Sequence, residues 1–543
     1  MGNFKRVLLC VLIISSLFLT SCTKQGTTPP RGTSGKISYN IGAEPQYLDP
    51  GKATGIPEFT VILNLFDGLV RYDLKGEIKP SVAERWDISD DMLTYTFYLR
   101  KDTKWSNGEP VTAHDFEYSW KRALSPALAS EYAYQLWYIK NGEAYSSGKI
   151  TDPEEVGVKA TDDYTLKVEL KSPTPYFLSL LTFTTYLPVC KNVVEKNPDW
   201  AKSTTDYVSN GPFKMKEWVH KDKIIVEKNP NYWDANVVKL GEITFTMVES
   251  GTTELAMFES GQLDFATNPP PVEFDRLKKE GKLTIEPYIG TYYYLFNTTK
   301  APFNDKKVRK ALTFAIDRKS IVENITKGEQ KIALAYVPYG IQDATSDKDF
   351  RVVGGDFFTD NNVEEAKALL SDAGYPNGKG FPKFQLLYNT SEVHKSIAEA
   401  IQQMWKENLG IDCELVNQEW KVYLDNRSKL QYDVARAGWI GDYPDPTTFL
   451  DMFVGNSGNN DTGWNNPQYN DLIAKAKNEK DNWLRMTLLH QAEEVLMDEL
   501  PILPIYFYTR PLMIKPWLKD YISSLLGYTD FKWAYVEGNK QTK

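Results

Sequence analysis

Cysteine and histidine are scarce in this sequence, with four of each among 543 residues. No two cysteines form a CxxC pair, which excludes a zinc finger, a thioredoxin-like redox motif and a disulfide scaffold. Cys190 and Cys413 either form a single disulfide or remain buried thiols. The histidines lack HxxxH and HExxH spacing, so a zincin-type metal site has no support. We therefore predict no metal and no cofactor.

An excess of basic charge and the common catalytic motifs are absent as well. The net charge of −9 argues against a protein that binds nucleic acid phosphates. The sequence has no GxSxG elbow, no P-loop and no GxGxxG after a predicted strand. An acidic pair such as Asp442 and Asp445 suits a glycosidase only at the right carboxylate separation, which a sequence does not give. The sequence favours a protein that is not an enzyme.

The N-terminal segment has the features of an export signal. Lys5 and Arg6 precede an apolar run that is too short to span a bilayer core of about 30 Å. The run ends in Leu-Thr-Ser-Cys, which resembles a bacterial lipobox and predicts lipidation of Cys22. An ordinary signal with a coincidental cysteine is the alternative. We predict a signal peptide over residues 1–21 and a lipidated cysteine with a flexible tether over residues 22–36.

Removal of that signal would lower the net charge from −9 to −11, because Lys5 and Arg6 leave without any acid. The body is long enough for two to four lobes. Residues 93–99 alternate apolar and polar as in a half-buried strand, and apolar residues follow helical spacing over 308–315 and 397–405. Thr112 marks a helix start. The strand and helix patterns predict a mixed α/β body. The export signal and tether predict that this body is held at the outer face of a membrane.

Four long segments carry a resemblance to a known family. They are residues 83–124, 291–318, 386–420 and 432–453. The second reads TYYYLFNTTKAPFNDKKVRKALTFAIDR. In these segments the chain resembles the oligopeptide-binding lipoproteins of ABC importers, in extracellular solute-binding protein family 5, and the similarity covers essentially the whole body.

The resemblance implies an α/β, three-lobed periplasmic-binding-protein-like (flytrap) fold with mixed sheets and a two-strand hinge. Lobe I would comprise residues 37–66, 191–290 and 510–543. Lobe II would comprise residues 67–190, and lobe III residues 291–509. Lobes I and III would close over the ligand.

The resemblance also implies the residues that hold the charged ends of a peptide. Asp442 matches the position that pairs with the ligand ammonium, although an aspartate before Tyr443-Pro444 is also a common turn residue. Arg436 and Arg427 match arginines near the ligand's carboxyl end, and a guanidinium suits a carboxylate. Either arginine is alternatively solvated or bridges two lobes. His394 matches a position that receives the C-termini of longer peptides, with a polar helix-start histidine as the alternative.

Two segments match backbone that pairs with the ligand as an added strand. They are Thr54, Gly55 and Ile56, and Gly438, Trp439 and Ile440. Trp439 would supply an apolar wall, although a buried core tryptophan is equally compatible with the composition. The chain departs from the family where a carboxylate-binding lysine would align with Thr326, because Lys327 lies one position later. A step of one residue turns a helical side chain by about 100°, so the preferred peptide length stays open.

The implied function is a monomeric receptor that captures short peptides with a free N-terminus, largely independent of their sequence. It would deliver them to the membrane permease and ATPase subunits of an ABC importer. The alternatives of the same fold are receptors for a signalling peptide, an oligosaccharide or a nickel chelate. Poor histidine supply disfavours nickel, and Asp442 with Arg436 disfavours neutral sugars. A surface hydrolase is the alternative from another class, and it lacks an identifiable nucleophile or metal set.

Overall fold

The computed structural model describes residues 35–538 except 175, 346 and 456. The predicted signal peptide over 1–21, the lipidation site Cys22 and the tether up to residue 34 lie outside the described residues. Residue 36 already begins the first strand.

The described chain is a mixture of strands and helices. The strands are β1 (Lys36–Asn40), β2 (Val70–Tyr72), β3 (Ile78–Pro80), β4 (Ala83–Ile88), β5 (Thr94–Leu99), β6 (Val158–Asp162), β7 (Thr165–Glu169), β8 (Phe213–Val219), β9 (Lys223–Lys228), β10 (Glu242–Thr246), β11 (Phe265–Ala266), β12 (Thr284–Phe296), β13 (Lys331–Ile332), β14 (Phe384–Asn389), β15 (Cys413–Gln418), β16 (Val434–Ile440), β17 (Ile502–Ile514), β18 (Leu518–Lys519), β19 (Ile522–Ser523), β20 (Thr529–Asp530) and β21 (Tyr535–Val536).

The α-helices are α1 (Ile56–Leu65), α2 (Ala113–Leu124), α3 (Gly142–Ser146), α4 (Phe177–Leu180), α5 (Lys191–Lys196), α6 (Gly251–Glu259), α7 (Phe274–Lys279), α8 (Lys306–Phe314), α9 (Arg318–Ser320), α10 (Phe350–Gly354), α11 (Val363–Asp372), α12 (Glu392–Leu409), α13 (Trp420–Ser428), α14 (Thr447–Leu450), α15 (Pro467–Asn478) and α16 (Asn482–Glu499). A π-helical turn covers Ile321–Thr326, and short 3-10 turns include Ala133–Leu136 and Thr184–Tyr186.

The local patterns read from the sequence are confirmed. The predicted strand at 93–99 is β5, with Tyr95, Phe97 and Leu99 buried on one face. The two predicted helices are α8 and α12, which bury their regularly spaced apolar residues. Thr112 is the N-cap of α2 in a capping box with Asp115.

One large sheet joins two halves of the molecule. Its strand order is β15-β14-β16-β12-β17-β11-β1-β10-β9-β8, with β13 paired to β17. We call β1 and β8–β11 the N-terminal half-sheet, and β13–β16 the C-terminal half-sheet. The 13-residue strands β12 and β17 are antiparallel to each other and belong to both halves. Their register shifts between Pro287 and Thr291 and again after Tyr292, so the connection between the halves is irregular where it crosses from one to the other.

A separate antiparallel sheet has the strand order β4-β5-β7-β6 and packs against α2. Its buried residues belong to the same hydrophobic cluster that runs through both halves of the large sheet. This four-stranded sheet falls within predicted lobe II, and the two half-sheets fall within predicted lobes I and III. The exact lobe boundaries stay predictions.

The structure decides between the two alternatives for the body's cysteines. Cys190 and Cys413 are buried and unpaired, so the free-thiol alternative is correct. Burial raises the pKa of each thiol to about 12. Across residues 35–538, apart from the three gaps, we find no helix with the length and apolar character needed to cross a bilayer.

Candidate functional site

A cavity of about 350 Å³ lies between the N-terminal and C-terminal half-sheets. Residues of β1, α1 and α7 form one wall, and residues of α12, α13 and β16 form the other. The strand β17 contributes Tyr506, Tyr508 and Arg510 to its floor. A volume of this size suits a small organic ligand enclosed by both halves.

An unpaired strand edge borders this region. Gly438, Trp439 and Ile440 pair with β12 on one side, opposite Tyr292, Thr291 and Gly290. On the other side β14 pairs with β16 only at Val434 and Ala435. Among the described residues, the end of β16 that carries the predicted backbone-binding residues therefore has no strand on this side, as addition of an extended ligand strand requires.

The carboxylate of Asp442 lies just beyond that edge and is 8% exposed. Its Oδ2 accepts a hydrogen bond of 2.7 Å from Gln135 Nε2, and its Oδ1 accepts one of 3.4 Å from the Tyr132 hydroxyl. No Lys, Arg or His of the described residues pairs with it. Burial raises the pKa of Asp442 well above its usual value, although hydrogen bonds from Tyr132, Gln135 and Thr448 lower it. A ligand cation would supply the missing counter-charge.

Arg436 lines the cavity, whereas Asp442, Gly438, Trp439 and Ile440 do not. Arg436 is 8% exposed and donates 2.6 Å from Nη2 to the Tyr508 hydroxyl and 3.4 Å from Nη1 to Asn389 Oδ1. Its guanidinium lies 4.6 Å from the centre of the Tyr292 ring. No carboxylate in the described part of the chain forms an ion pair with it, and its Nε has no hydrogen-bond partner there.

Arg427 and His394 differ from Arg436. Arg427 Nε is 2.6 Å from Asp461 Oδ2, and Arg427 does not line the cavity. His394 does line it, with Nδ1 3.3 Å from the Tyr292 hydroxyl. Burial, with a smaller contribution from Arg436, lowers the pKa of His394 well below its usual value. The imidazole is therefore neutral, and its role at a ligand carboxylate stays a prediction.

The segment from Thr54 to Ile56 reaches the cavity through its last residue. Gly55 is the extended N-cap of α1, and its carbonyl oxygen accepts the Phe59 N–H, while Ile56 lines the wall. A Cβ at Gly55 would lie 2.3 Å from Glu58 Oε2 and 3.1 Å from the Trp420 ring, so glycine favours the close approach of Trp420 to this segment.

The carboxylate-binding lysine of the family is replaced in this chain by an uncharged residue, Thr326. Thr326 is 3% exposed, lines the cavity and donates 2.9 Å to Gln330 Oε1. Lys327 is the C-cap of the π-helical turn with φ of 51°, and it does not line the cavity. The preferred ligand length stays open.

The sequence analysis missed most of the cavity lining. Tyr506, Tyr508 and Arg510 alternate along β17, and this period of two was a usable signal for a shared face. Arg510 donates to the hydroxyl groups of Ser523 and Thr529, at 2.9 Å each. Trp420 and Glu249 also line the cavity and had no signal in the sequence.

The geometry does not support the alternative of a hydrolase that uses Asp442 and Asp445 or a metal ion. Asp445 forms a two-pronged ion pair with Arg485, at 2.6 and 2.9 Å, and this partner outweighs burial and lowers the pKa of Asp445. It is therefore not poised as a general acid beside Asp442. In the described ranges no group of three or more His, Cys, Asp or Glu residues could hold a metal ion.

A cavity between two half-sheets joined by two long strands is the arrangement found in binding proteins whose two lobes close over a solute. The model of the bacterial extracellular solute-binding proteins, family 5 Middle, matches residues 77–461. The chain belongs to family 5 of the bacterial extracellular solute-binding proteins. It is 43% identical to the oligopeptide-binding protein OppA of Bacillus subtilis (strain 168), over 97% of this chain and 98% of that protein.

Solved structures agree with the family. Haemophilus influenzae OppA in complex with RPPGFSPFR has a TM-score of 0.87 at 38% identity and covers 93% of this chain and 99% of its own. The Escherichia coli murein tripeptide binding protein MppA has a TM-score of 0.86 at 38% identity, with 93% and 99% covered. An unliganded open form of MppA reaches only 0.61 at the same identity, with 93% and 98% covered. This chain therefore has the predicted three-lobed α/β fold, in a lobe arrangement that differs from that open form.

Proposed function

We propose that this protein is a receptor that captures short peptides with a free N-terminus between two closing lobes and delivers them to an ABC importer. The permease and ATPase subunits of that importer would be its partners. The observation that carries the proposal is Asp442, a buried carboxylate next to a free strand edge, with no cationic partner among the described residues. A peptide offers an ammonium for the carboxylate and a backbone for the edge.

The relatives support the same ligand class. The names of the B. subtilis and H. influenzae proteins describe oligopeptide binding, and the H. influenzae structure contains the nonapeptide RPPGFSPFR. Main-chain pairing at β16 reads no side chains, which suits capture that is largely independent of sequence. We assign the ligand's carboxyl end to Arg436 rather than Arg427, because Arg427 is already paired with Asp461. His394 would add a neutral hydrogen-bonding group for longer peptides.

We further propose that the protein binds its ligand as a monomer without a chemical step, and that it is held at the outer face of the bacterial membrane through a lipid on Cys22. Incorporation of labelled fatty acid into the wild-type chain but not into Cys22→Ser would support this anchor. Equal labelling of the wild-type chain and Cys22→Ser would show that Cys22 does not carry the lipid.

Calorimetric titration tests the central proposal. The chain from residue 23 to 543 is unfolded and refolded to strip bound ligand, and then titrated with a peptide of three to five residues and with its N-acetylated form. Tight binding of the free amine and loss on acetylation would support the proposal. Equal binding of both would remove Asp442 from its role and favour N-blocked signalling peptides. Binding of neither would contradict the peptide proposal and direct the titration to oligosaccharides.

A further inference from the structure

The charge that lines the large cavity is opposite in sign to the charge of the protein as a whole. The chain has a net charge of −9, yet the charged residues lining the cavity are two cations, Arg436 and Arg510, and one carboxylate, Glu249. His394 also lines the cavity and is neutral, because burial lowers its pKa well below the usual value. A cleft with an excess of one charge attracts ligand groups of the opposite charge. The lining therefore favours the anionic parts of a ligand.

Glu249 does not neutralise either arginine. Within the described ranges it forms no ion pair with them. Burial and then Glu419 raise the pKa of Glu249, whereas a hydrogen bond with Thr390 and the charge of Lys221 lower it. Glu249 therefore belongs to a group of charges that includes the exposed Lys221, which lies 3.6 Å from Glu419 Oε1. Both arginines keep their positive charge for another partner.

Arg510 lies on the face of β17 that looks into the cavity. It is 6% exposed and alternates with Tyr506 and Tyr508, and all three residues line the cavity. Side chains two positions apart in a strand lie on the same face. On that face the Tyr508 hydroxyl accepts a hydrogen bond of 2.6 Å from Arg436 Nη2. Arg510 is thus a second buried cation beside the one already described.

Only neutral groups contact the guanidinium of Arg510. Its Nη1 donates 2.9 Å to Ser523 Oγ, and its Nη2 donates 2.9 Å to Thr529 Oγ1 and 3.4 Å to the Tyr39 hydroxyl. Glu286 reaches it only through Ser523, whose hydroxyl donates 2.5 Å to Glu286 Oε2. In the part of the chain that the structure describes, no carboxylate forms an ion pair with Arg510. Buried charges are normally paired, so this cation has room for an anionic partner.

The two arginines approach the same tyrosine from opposite lobes. The ring of Tyr288 lies 5.6 Å from that of Tyr508. Burial raises the pKa of Tyr288, and Arg510 and then Arg436 act to lower it, so both cations are close to its hydroxyl. Arg510 pairs with Glu286 of β12 on the predicted lobe I side of the register shift, whereas Arg436 lies on β16 of predicted lobe III.

We infer that Arg510 is a specificity residue that binds an acidic side chain near the carboxyl end of the peptide, while Arg436 binds the terminal carboxylate. A planar guanidinium binds a carboxylate through parallel N–H donors. A peptide that ends in Glu or Asp would neutralise one cation of each lobe and so stabilise the closed arrangement. This inference rests on the proposed function and adds a preference to a site that also accepts other sequences.

Two pairs of tripeptides test the preference by calorimetric titration of the refolded protein. Ala-Ala-Glu and Ala-Ala-Gln differ in one charge and have nearly the same shape. The protein should bind the first about ten- to hundred-fold more tightly, which is the usual contribution of a hydrogen bond to a charged group. Glu-Ala-Ala and Gln-Ala-Ala carry the same difference at the other end. They should show no such preference, because Asp442 does not line this cavity.

Variants of Arg510 test the assignment. Arg510→Met should remove the preference for Ala-Ala-Glu over Ala-Ala-Gln, and Arg510→Lys should keep part of it, because lysine retains the charge. Arg85→Met is the matched control: its side chain is 61% exposed, it does not line the cavity, and its loss removes the same charge. This control should keep the full preference. A purely structural role of Arg510 would lower the affinity for both peptides equally.

Each outcome decides the inference. Equal affinity of the wild-type protein for Ala-Ala-Glu and Ala-Ala-Gln would overturn it and leave the proposed function intact, and this comparison does not depend on whether a variant folds. A preference that survives Arg510→Met, or that Arg85→Met also loses, would overturn it as well. Binding of none of the four tripeptides would contradict the proposed function itself, which is a separate result.

Discussion

Two buried aspartates three positions apart have opposite environments. Asp445 forms a two-pronged ion pair with Arg485, whereas Asp442 contacts only neutral donors in the described residues. The pKa of Asp445 is lowered by its partner, and that of Asp442 is raised by burial. Asp445 has its counter-charge within the protein, and we propose that Asp442 receives its own from a ligand.

The buried arginines repeat this contrast with opposite sign. Arg427 is paired with Asp461, whereas Arg436 contacts tyrosines and an amide and lies on the cavity wall. We propose that Asp442 and Arg436, buried without a counter-charge among the described residues, are ligand contacts, whereas Asp445 and Arg427 are structural. The predictions below test that distinction.

Asp442→Asn should produce the largest change in binding. Removing one partner of a buried ion pair costs about 3–5 kcal/mol, which is roughly a hundred- to several-thousand-fold in affinity for a free-amine peptide. The ligand-free protein should not lose stability, because the wild-type carboxylate is buried without a cation. Titration calorimetry and urea unfolding measure the two quantities. Unchanged affinity, or a large loss of stability, would contradict the assignment.

Asp445→Asn should lower the stability of the protein and leave peptide affinity largely unchanged, the reverse of Asp442→Asn. The substitution leaves Arg485 buried without its partner, so the free energy of unfolding should fall by about 3–5 kcal/mol. Double substitution with Arg485→Met should recover part of that loss in urea unfolding. Peptide affinity, measured where the protein remains folded, should change far less than in Asp442→Asn. If Asp445→Asn were as stable as the wild type, the ion pair of Asp445 with Arg485 would contribute little to the free energy of unfolding.

Glu58 extends the comparison to a carboxylate beside the cavity wall. Burial raises its pKa from 4.5 to about 7, against a hydrogen bond from the backbone N–H of Gln46. The folded state therefore binds a proton more tightly than the unfolded chain, so this group's contribution is complete below about pH 4.5 and is lost as pH rises through 7.

Glu58→Gln should remove that contribution to the pH dependence. The variant should lose the decline in stability between about pH 4.5 and 7, and should be more stable than wild type at pH 8 by at most about 3 kcal/mol. Urea unfolding across pH 4.5–8 measures this. Glu254 has its pKa raised to about 7 as well, so part of the decline should remain. An identical pH profile in wild type and variant would refute the role of Glu58.

Helices and strands could be predicted from the sequence, but whether a buried charged residue has an ion-pair partner could not. Helix α12 and strand β5 follow from periodicity, because core-facing positions repeat locally. The contrast between Asp442 and Asp445 depends on partners far along the chain, since Gln135 is 307 residues from Asp442. The pairing of Arg427 with Asp461 spans 34 residues and also has no local signal. Family resemblance supplied Asp442, Arg436 and Arg427 as candidates, but only the packing of the folded chain shows which of these charges has a partner in the protein.

Arg436→Met should have a smaller effect that depends on the ligand. Loss of a cation at the carboxyl end should lower affinity for a peptide acid by about ten- to hundred-fold, because hydrogen bonds to charged groups are worth about 1.5–3 kcal/mol. The same peptide as a C-terminal amide should lose much less. Arg427→Met is the matched control: it leaves Asp461 unpaired and should lower stability while keeping the preference for acid over amide. If Arg427→Met abolished that preference and Arg436→Met kept it, the carboxylate site would belong to Arg427. A buried charge with a partner would then also bind ligand, and the distinction drawn between Asp442 and Asp445 would fail for cations.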